Sequence, residues 1–423
     1  MNLTQFHLPS SKSESHRVLA LLYLSKLDLK GLKNPSDSRD TQLFIHNLQS
    51  QESCIDFHDA GTPARIALAL FAFEGRKVTI TGNQSLQKRP IKALVDGLNS
   101  LGAKIKYLEN DGFFPCTIEG QINSESLRDH PNIVLDRTES SQFATAMMLI
   151  CSQMFDVPKI QISLIGKEHS NSYIEMTAKT LNQFQIPCIF NQEDDLIEIN
   201  PQKPLISSDI YVEADWSAAL YGFQYLLALR WTKNQNYEWY FPQLKLPSLQ
   251  GDSQTLPIFV SLGLNADIQE KGIVCTTQNI HSLENAFQKS VSIDCRNFPD
   301  AVPTLVSTFA LAWFLKVDKK HDYNIVFQGI SNLITKESNR IEAMNVNLLH
   351  FGFELTTVNE EDYQLTQLNN SADVQEILTI KTFHDHRIAM SFAPWKMIFP
   401  QLQFDDTACV VKSFPDFWNQ INP

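Results

Sequence analysis

Ile91-Lys-Ala-Leu-Val-Asp-Gly-Leu-Asn-Ser-Leu-Gly-Ala-Lys-Ile105 decides how the chain is read. Its apolar residues recur at helical spacing, and the stretch ends in a glycine-containing turn and a short strand. An Asn110-Asp111-Gly112 turn and the strand Pro115-Cys-Thr-Ile118 follow. The same pattern returns three times. Tyr173-Ile-Glu-Met-Thr-Ala-Lys-Thr-Leu-Asn-Gln-Phe184 leads to Cys188-Ile-Phe, an Asp194-Asp195 turn and Leu196-Ile-Glu-Ile199. Pro257 to Gly263 leads to Ala266-Asp-Ile, Lys271-Gly272 and Ile273-Val-Cys275. Ile341 to Gly352 leads to Glu354-Leu-Thr, an acidic turn at Glu360-Glu361-Asp362, and Tyr363-Gln-Leu. These helices begin near 91, 173, 257 and 341, at intervals of 82, 84 and 84 residues. A weaker copy is expected at Thr41 to Leu48 followed by Ser53 to Phe57. One helix–hairpin unit cannot bury its own apolar face, so repeats of one α/β module grouped into two similar domains are the economical reading.

Composition narrows the function. The chain has 423 residues, 43% hydrophobic and 19% charged, enough for two domains with full cores. Its net charge of −12 argues against nucleic acid or an anionic membrane as partner. Apolar runs such as Val18 to Leu24 and Ala67 to Phe73 fall far short of the ~20 residues a membrane span needs. Residues 1–7 show no signal-peptide pattern. The seven cysteines are widely separated and contain no C-x-x-C, which reads as reduced thiols in a cytoplasm. His384-Asp385-His386 does not read as a metal site, since residues i and i+2 do not share a helical face.

Against this acidic background, seven clusters set a cation or amide beside hydroxyls or an acid. They are Ser11 to Arg17, Gly61 to Arg65, Lys88-Arg89-Pro90, Ser140-Ser141-Gln142, Lys336 to Arg340, Asp385-His386-Arg387 and Val411-Lys412-Ser413. Several open a helix: Thr62 before Pro63, Ser140-Ser141 before the apolar run from Phe143, and Ser13 or Ser15 before Arg17 are candidate N-caps. Helix starts offer free N–H groups and a positive dipole end, so with Lys and Arg nearby they suit small anions.

In this order and spacing the clusters resemble the EPSP synthase family, the 3-phosphoshikimate 1-carboxyvinyltransferases. Leu8 to Ser13, Ala60-Gly61-Thr62 with Arg65, Arg89-Pro90-Ile91, Ser140-Ser141-Gln142, Gln250-Gly251-Asp252, Pro299-Asp300, Asn332 with Lys336-Glu337 and Arg340, Asp385-His386-Arg387, and Lys412 to Asp416 carry the resemblance, which runs from residue 8 to 418. It implies an α/β fold of two similar domains, each of three βαβαββ repeats in an inside-out α/β barrel, with a cleft between them. The first domain is expected over 11–213 and the second over 1–10 plus 214–423, with crossings near residues 11 and 214.

The resemblance also implies the reaction. The 5-hydroxyl of shikimate 3-phosphate attacks C2 of phosphoenolpyruvate while C3 is protonated; the tetrahedral intermediate then loses phosphate. No cofactor or metal is implied, the partners are these two small molecules, and a cytoplasmic monomer is expected. Two phosphates and two carboxylates held together call for many cations. By the same resemblance, Asp300, Glu337 and Lys12 are the catalytic residues. Asp300 takes the hydroxyl proton, Glu337 handles the proton at C3, and Lys12 bridges both substrates. Ser13 and Arg17 match positions for the shikimate carboxylate, and Ser140, Ser141 and Ser170 the pocket for its phosphate. Asn332 and Lys336 also face shikimate 3-phosphate, while Gln142 reaches both substrates. Gly61, Arg89, Arg340, Arg387 and Lys412 match the phosphoenolpyruvate set.

The bland readings of these residues are caps and ion pairs: Asp300 capping the helix from Ala301, Glu337 pairing with Lys336 or Arg340, Arg387 pairing with Asp385. Asn339 departs from the family's usual Asp, and Asp59, Pro63, Ala64, Ile66 and Ser172 also depart from its pattern; none is an expected ligand. Two rival functions share the fold. A UDP-N-acetylglucosamine enolpyruvyl transferase typically uses a loop Cys, and none lies near Lys88-Arg89-Pro90. A non-catalytic anion-binding protein would have no use for both Asp300 and Glu337.

Overall fold

The computed structural model describes residues 4–166, 170–205, 209–277, 290–317, 323–368 and 377–421. The chain divides into two units, one of residues 10–212 and one joining residues 1–9 to 213–423.

Four modules share one plan. Each starts with a strand, a helix and a second strand parallel to the first, then adds a helix and an antiparallel hairpin whose last strand pairs with the second strand. In the first, strand Cys54–Asp56 lies parallel to Thr79–Thr81, and the hairpin is Lys104–Tyr107 with Cys116–Gly120. The second uses Asn132–Asp136, Ile160–Ile165, Cys188–Asn191 and Leu196–Ile199. The other unit builds its two sheets from Thr4–Gln5, Glu238–Pro242, Leu264–Gln269 and Gly272–Thr277, and from Ser290–Asp294, Asn324–Gln328, Phe353–Thr357 and Tyr363–Gln367. The spatial order is first, second, fourth, third in all four. The helices before the hairpins are Lys92–Ser100, Asn171–Gln183, Leu256–Ser261 and Arg340–Leu348, at the positions read from the repeat.

The weaker copy differs from expectation. Helix Arg39–Gln49 forms, but the strand after it opens the first sheet by parallel pairing instead of closing a hairpin. Beyond the four sheets, the described residues hold only abbreviated pieces of further modules. In the 10–212 unit there is a single parallel bridge, Leu32 to Ile210. In the other, strands Thr379–Ile380 and Gln403–Phe404 flank helix His386–Phe392, and no hairpin follows. Residues Val410, Phe414 and Phe417 go into the core there instead.

The sheets expose one face while the central helices are buried on nearly all sides. Helix Gly61–Glu74 and helix Gln142–Cys151 are almost wholly enclosed, and with Lys12–Leu24 they fill one core. A helix that is apolar all round belongs inside. Trp216–Lys233, Val302–Phe314 and His386–Phe392 play this part in the other unit. There Ser307 Oγ donates to the Ser391 carbonyl at 2.7 Å and accepts from Trp395 Nε1 at 3.0 Å and Gln224 Nε2 at 3.2 Å, tying the three helices together. Among the described residues no helix is long and apolar enough to cross a membrane.

Candidate active site

In the 10–212 unit the central helices bring their N-terminal turns together. Ser11, not Ser13 or Ser15, caps the first helix: its Oγ accepts from the Glu14 N–H, so Lys12 and Ser13 form the first turn. Lys12 Nζ donates to Asp40 Oδ2 at 3.2 Å. Arg17 is buried one turn on, and donates to the Ser13 carbonyl (2.7 Å), Thr177 Oγ1 (2.9 Å), Thr145 Oγ1 (3.2 Å) and the Tyr173 carbonyl (2.8 Å). Four of the five guanidinium N–H groups are thereby engaged, so the fork itself holds helix Lys12–Leu24 to helices Gln142–Cys151 and Asn171–Gln183. Beside it His16 is neutral, because burial, then the charges of Lys12 and Arg17, push its pKa well below the usual value.

Thr62 does not cap the second helix. The helix already begins at Gly61, after Ala60, with no side-chain cap. Arg89 comes close at this start: a Cβ on Gly61 would lie 2.7 Å from Arg89 Nη1. Gly61 and Arg89, both expected phosphoenolpyruvate ligands, are thus in contact. Arg65, one turn along, donates to Gln142 Oε1 at 2.7 Å, to Ser140 Oγ at 3.4 Å and to the Pro90 carbonyl at 2.7 Å. It joins three of the motifs singled out in the sequence. At the third helix Ser140 Oγ accepts from the Gln142 N–H at 3.2 Å, and Ser141 precedes Gln142 without a side-chain cap bond. Ser170 is buried in the left-handed conformation, φ 59°, at the start of helix Asn171–Gln183.

In the other unit Arg340 is the centre. Its guanidinium is fully buried and donates to three carboxylates: Asp385 Oδ2 from Nε at 2.9 Å, Asp300 Oδ1 from Nη1 at 2.9 Å, and Glu337 Oε2 from Nη2 at 2.7 Å. Arg387 Nη2 donates to the other Asp300 oxygen at 2.8 Å, and Lys412 Nζ lies 3.9 Å from Glu337 Oε1. Asp385 caps helix His386–Phe392 by accepting from the Arg387 N–H, while its other oxygen holds Arg340. Arg387 therefore pairs with Asp300, and helix Val302–Phe314 begins without a side-chain cap. Lys336, partly buried, lies close enough to Asp300, Arg340 and Glu337 to feel their charges, and Asn332 sits on the preceding 3₁₀ turn Ser331–Thr335.

Burial pushes the Asp300 carboxyl up, but Arg387, Arg340 and Lys336 together outweigh it and hold the group far below the ordinary carboxylate range. Asp252, buried nearby with Ser217 donating to it, goes the other way. Desolvation and the like charge of Asp300 push it up to about 7, against the pull of Arg387. Lys336 is lowered by burial, partly offset by Asp300. One carboxyl is thus held ionised and its neighbour poised to bind a proton. Among the described residues no group of three or more His, Cys, Asp or Glu side chains gathers as metal ligands would.

The contacts of the expected site residues could not be read from the sequence. Asp40, Thr145, Thr177, Arg137 and the three-carboxylate role of Arg340 carry no local signal. Arg65 lay inside the Gly61–Arg65 cluster, with nothing local to announce its bonds to Gln142, Ser140 and Pro90.

Each unit of this α/β protein sets buried cations and hydroxyls at helix starts, and one adds ionised and protonatable carboxyls to them. That defines an enzyme handling small polyanions. The model of the EPSP synthase (3-phosphoshikimate 1-carboxyvinyltransferase) family matches residues 43–421. A 3-phosphoshikimate 1-carboxyvinyltransferase of Bacteroides fragilis (strain YCH46) is 34% identical over 414 residues, covering 98% of this chain and 93% of that protein. Its counterpart in Methanosphaerula palustris is 26% identical, covering 98% and 95%. The solved EPSP synthase of Acinetobacter baumannii superposes with a TM-score of 0.66 at 18% identity, covering 98% and 94%, and shares the two-domain inside-out α/β fold. The chain belongs to the EPSP synthase family. Its reaction is transfer of the enolpyruvyl group of phosphoenolpyruvate to shikimate 3-phosphate, with release of phosphate, in the shikimate pathway.

Proposed function

We propose that the transfer is divided between the two residue sets as follows. Ser140, Ser141 and Ser170 take the phosphate of shikimate 3-phosphate, with Ser13 and the remaining N–H of Arg17 on its carboxylate and Asn332 and Lys336 on its hydroxyls. Gly61, Arg89, Arg340, Arg387 and Lys412 take phosphoenolpyruvate. Lys12 and Gln142 serve both.

Asp300 accepts the proton of the 5-hydroxyl as that oxygen bonds to C2, and C3 gains a proton from Glu337. In the second half Glu337 takes a proton back from C3 as the C2–O bond to phosphate breaks, and the proton held by Asp300 passes to the departing phosphate. A carboxylate held as low as Asp300 is a weak base. Anionic substrate groups drawing on Arg387 and Arg340 would raise its proton affinity, so its basicity would appear with the ligands. The arrangement around Arg340 carries this reading: one buried guanidinium holds both expected acid–base carboxylates, with Arg387 and Lys412 on their other oxygens. Its seven unbridged cysteines suit a reducing compartment, and the reading takes the chain as a cytoplasmic monomer.

The deciding experiment mixes phosphoenolpyruvate with shikimate 3-phosphate and, separately, with UDP-N-acetylglucosamine, and follows phosphate release. Release with the first acceptor alone is expected. Release only with the sugar nucleotide, or with neither, would reject the assignment.

A further inference from the structure

The Ser140-Ser141 turn and the Ser170 turn lie 30 residues apart in sequence, on loops that leave neighbouring parallel strands. Three hydroxyls serve one phosphate only if these two turns keep a fixed separation, and neither turn contacts the other through a hydrogen bond of its own seryl groups among the described residues. One side chain spans the gap. Arg137 is 1% exposed and sits just after strand Asn132–Asp136. Its Nη1 donates to Asn171 Oδ1 at 3.0 Å, directly after Ser170, and its Nη2 donates to Asp195 Oδ1 at 2.6 Å, in the adjoining hairpin turn. Its backbone is fixed on both sides. The Arg137 N–H donates to the Ile165 carbonyl at 3.0 Å, and the Arg137 carbonyl accepts the Ser140 N–H at 3.1 Å. Its Nε is buried with no hydrogen-bond partner. The strand ends here are packed without slack: a Cβ on Gly166, at φ +91°, would fall 2.0 Å from Thr138 Oγ1.

We infer that Arg137 is a positioning residue for the phosphate pocket, setting the distance between the Ser140-Ser141 and Ser170 hydroxyls. This inference rests on the assignment of those serines to the phosphate of shikimate 3-phosphate. A planar fork reaches two acceptors at fixed angles, which a point-charge ammonium cannot do. Burial under one carboxylate that is itself 39% exposed also leaves a positive charge behind a pocket whose named ligands are neutral hydroxyls.

The test compares Arg137→Ala, Arg137→Lys and Asn171→Ala with Ser140→Ala and Ser170→Ala in the full chain. Calorimetry with shikimate 3-phosphate and with shikimate, which lacks the phosphate, is the readout, beside KM for phosphoenolpyruvate. We expect Arg137→Ala to weaken shikimate 3-phosphate about tenfold or more while shikimate affinity and the phosphoenolpyruvate KM stay within about twofold. Arg137→Lys should recover part of the loss, and Ser170→Ala should add little on top of Arg137→Ala. If Arg137→Ala does not fold, Arg137→Lys and Asn171→Ala carry the same comparison. A lowered melting temperature with unchanged phosphate discrimination, while the serine variants do lose it, would overturn the role of Arg137 alone. Serine variants that discriminate normally would remove the pocket assignment, and this inference with it.

Discussion

Arg340 concentrates the chemistry of its unit at one side chain, which makes the residue-scale expectations sharp. Asp300→Asn and Glu337→Gln should each lower kcat by ~10² or more with folding intact, as loss of an acid–base group does. Wild-type-like turnover in both variants, at normal melting temperature, would reject the assigned roles. Asp252 makes a separate, pH-dependent prediction. Its folded pKa of about 7 lies above the unfolded value, so between about pH 4 and 7 the folded state keeps a proton that the unfolded state has lost. Stability from this group is therefore complete below pH 4 and drains away as pH rises towards 7. Asp252→Asn, facing the same Ser217, Asp300, Arg387 and Asp215, should gain roughly 1–3 kcal/mol over the wild type at pH 7.5 and little at pH 4. Melting curves of the two proteins that run parallel across that range would refute it. Asp300 has the opposite sign, its contribution being lost only as pH falls below the ordinary carboxylate range. At this scale the candidate site residues stood out because each sits in a short motif of hydroxyl, amide and cation. Their partners did not. Arg17 meets Thr145 and Thr177 across 128 and 160 residues, and only helix packing brings them together.

Among elements, the helix period and the polar turns made the four helix–hairpin pairs readable to within a residue or two. Helix starts were harder, since Ser11, Ser13 and Ser15 offer equivalent caps to the eye. Which one caps depends on where the extended backbone turns, and Ser11 alone has the ψ of 114° that leaves it outside the helix. The start at Gly61, one residue ahead of Thr62, carries no cap signal because no side chain caps it. Helix Trp216–Lys233 shows a contest between local preference and packing. Gly222 lies in its middle, where Ala would ordinarily add up to about 1 kcal/mol. Here an added Cβ would meet the Phe241 ring at 2.6 Å and Phe6 at 3.1 Å. Gly222→Ala should therefore destabilise by ~1–3 kcal/mol in denaturant melts, the cost of overpacking. A gain in stability would show that the helix can shift away from the Glu238–Pro242 strand.

For the molecule as a whole, near-equal repeat intervals revealed the modular plan, while the abbreviated modules stayed hidden because they lack the hairpin that carries the signal. The opening residues are the strongest case of non-local construction. Strand Thr4–Gln5 pairs with Glu238–Pro242, and Phe6 lies buried with its ring stacked on Trp239 at 5.3 Å and edge-on to Phe414 at 6.0 Å. Phe6→Ala should cost ~3–5 kcal/mol, felt in the unit built from residues 213–423. Hydrogen exchange should show the loss in strands 238–242 and 272–277, with amides of residues 12–151 unaffected. Equal loss in both units would contradict that partition. This placement also orders events on the ribosome. Strand Thr4–Gln5 cannot pair until Glu238–Pro242 has emerged, and the Phe6 ring meets Phe414 only later still. At roughly 5–20 residues per second that interval is on the order of 10–40 s. Phe6 is thus made long before the strand and ring it packs against, and until they emerge its side chain stays open to solvent and to nascent-chain chaperones.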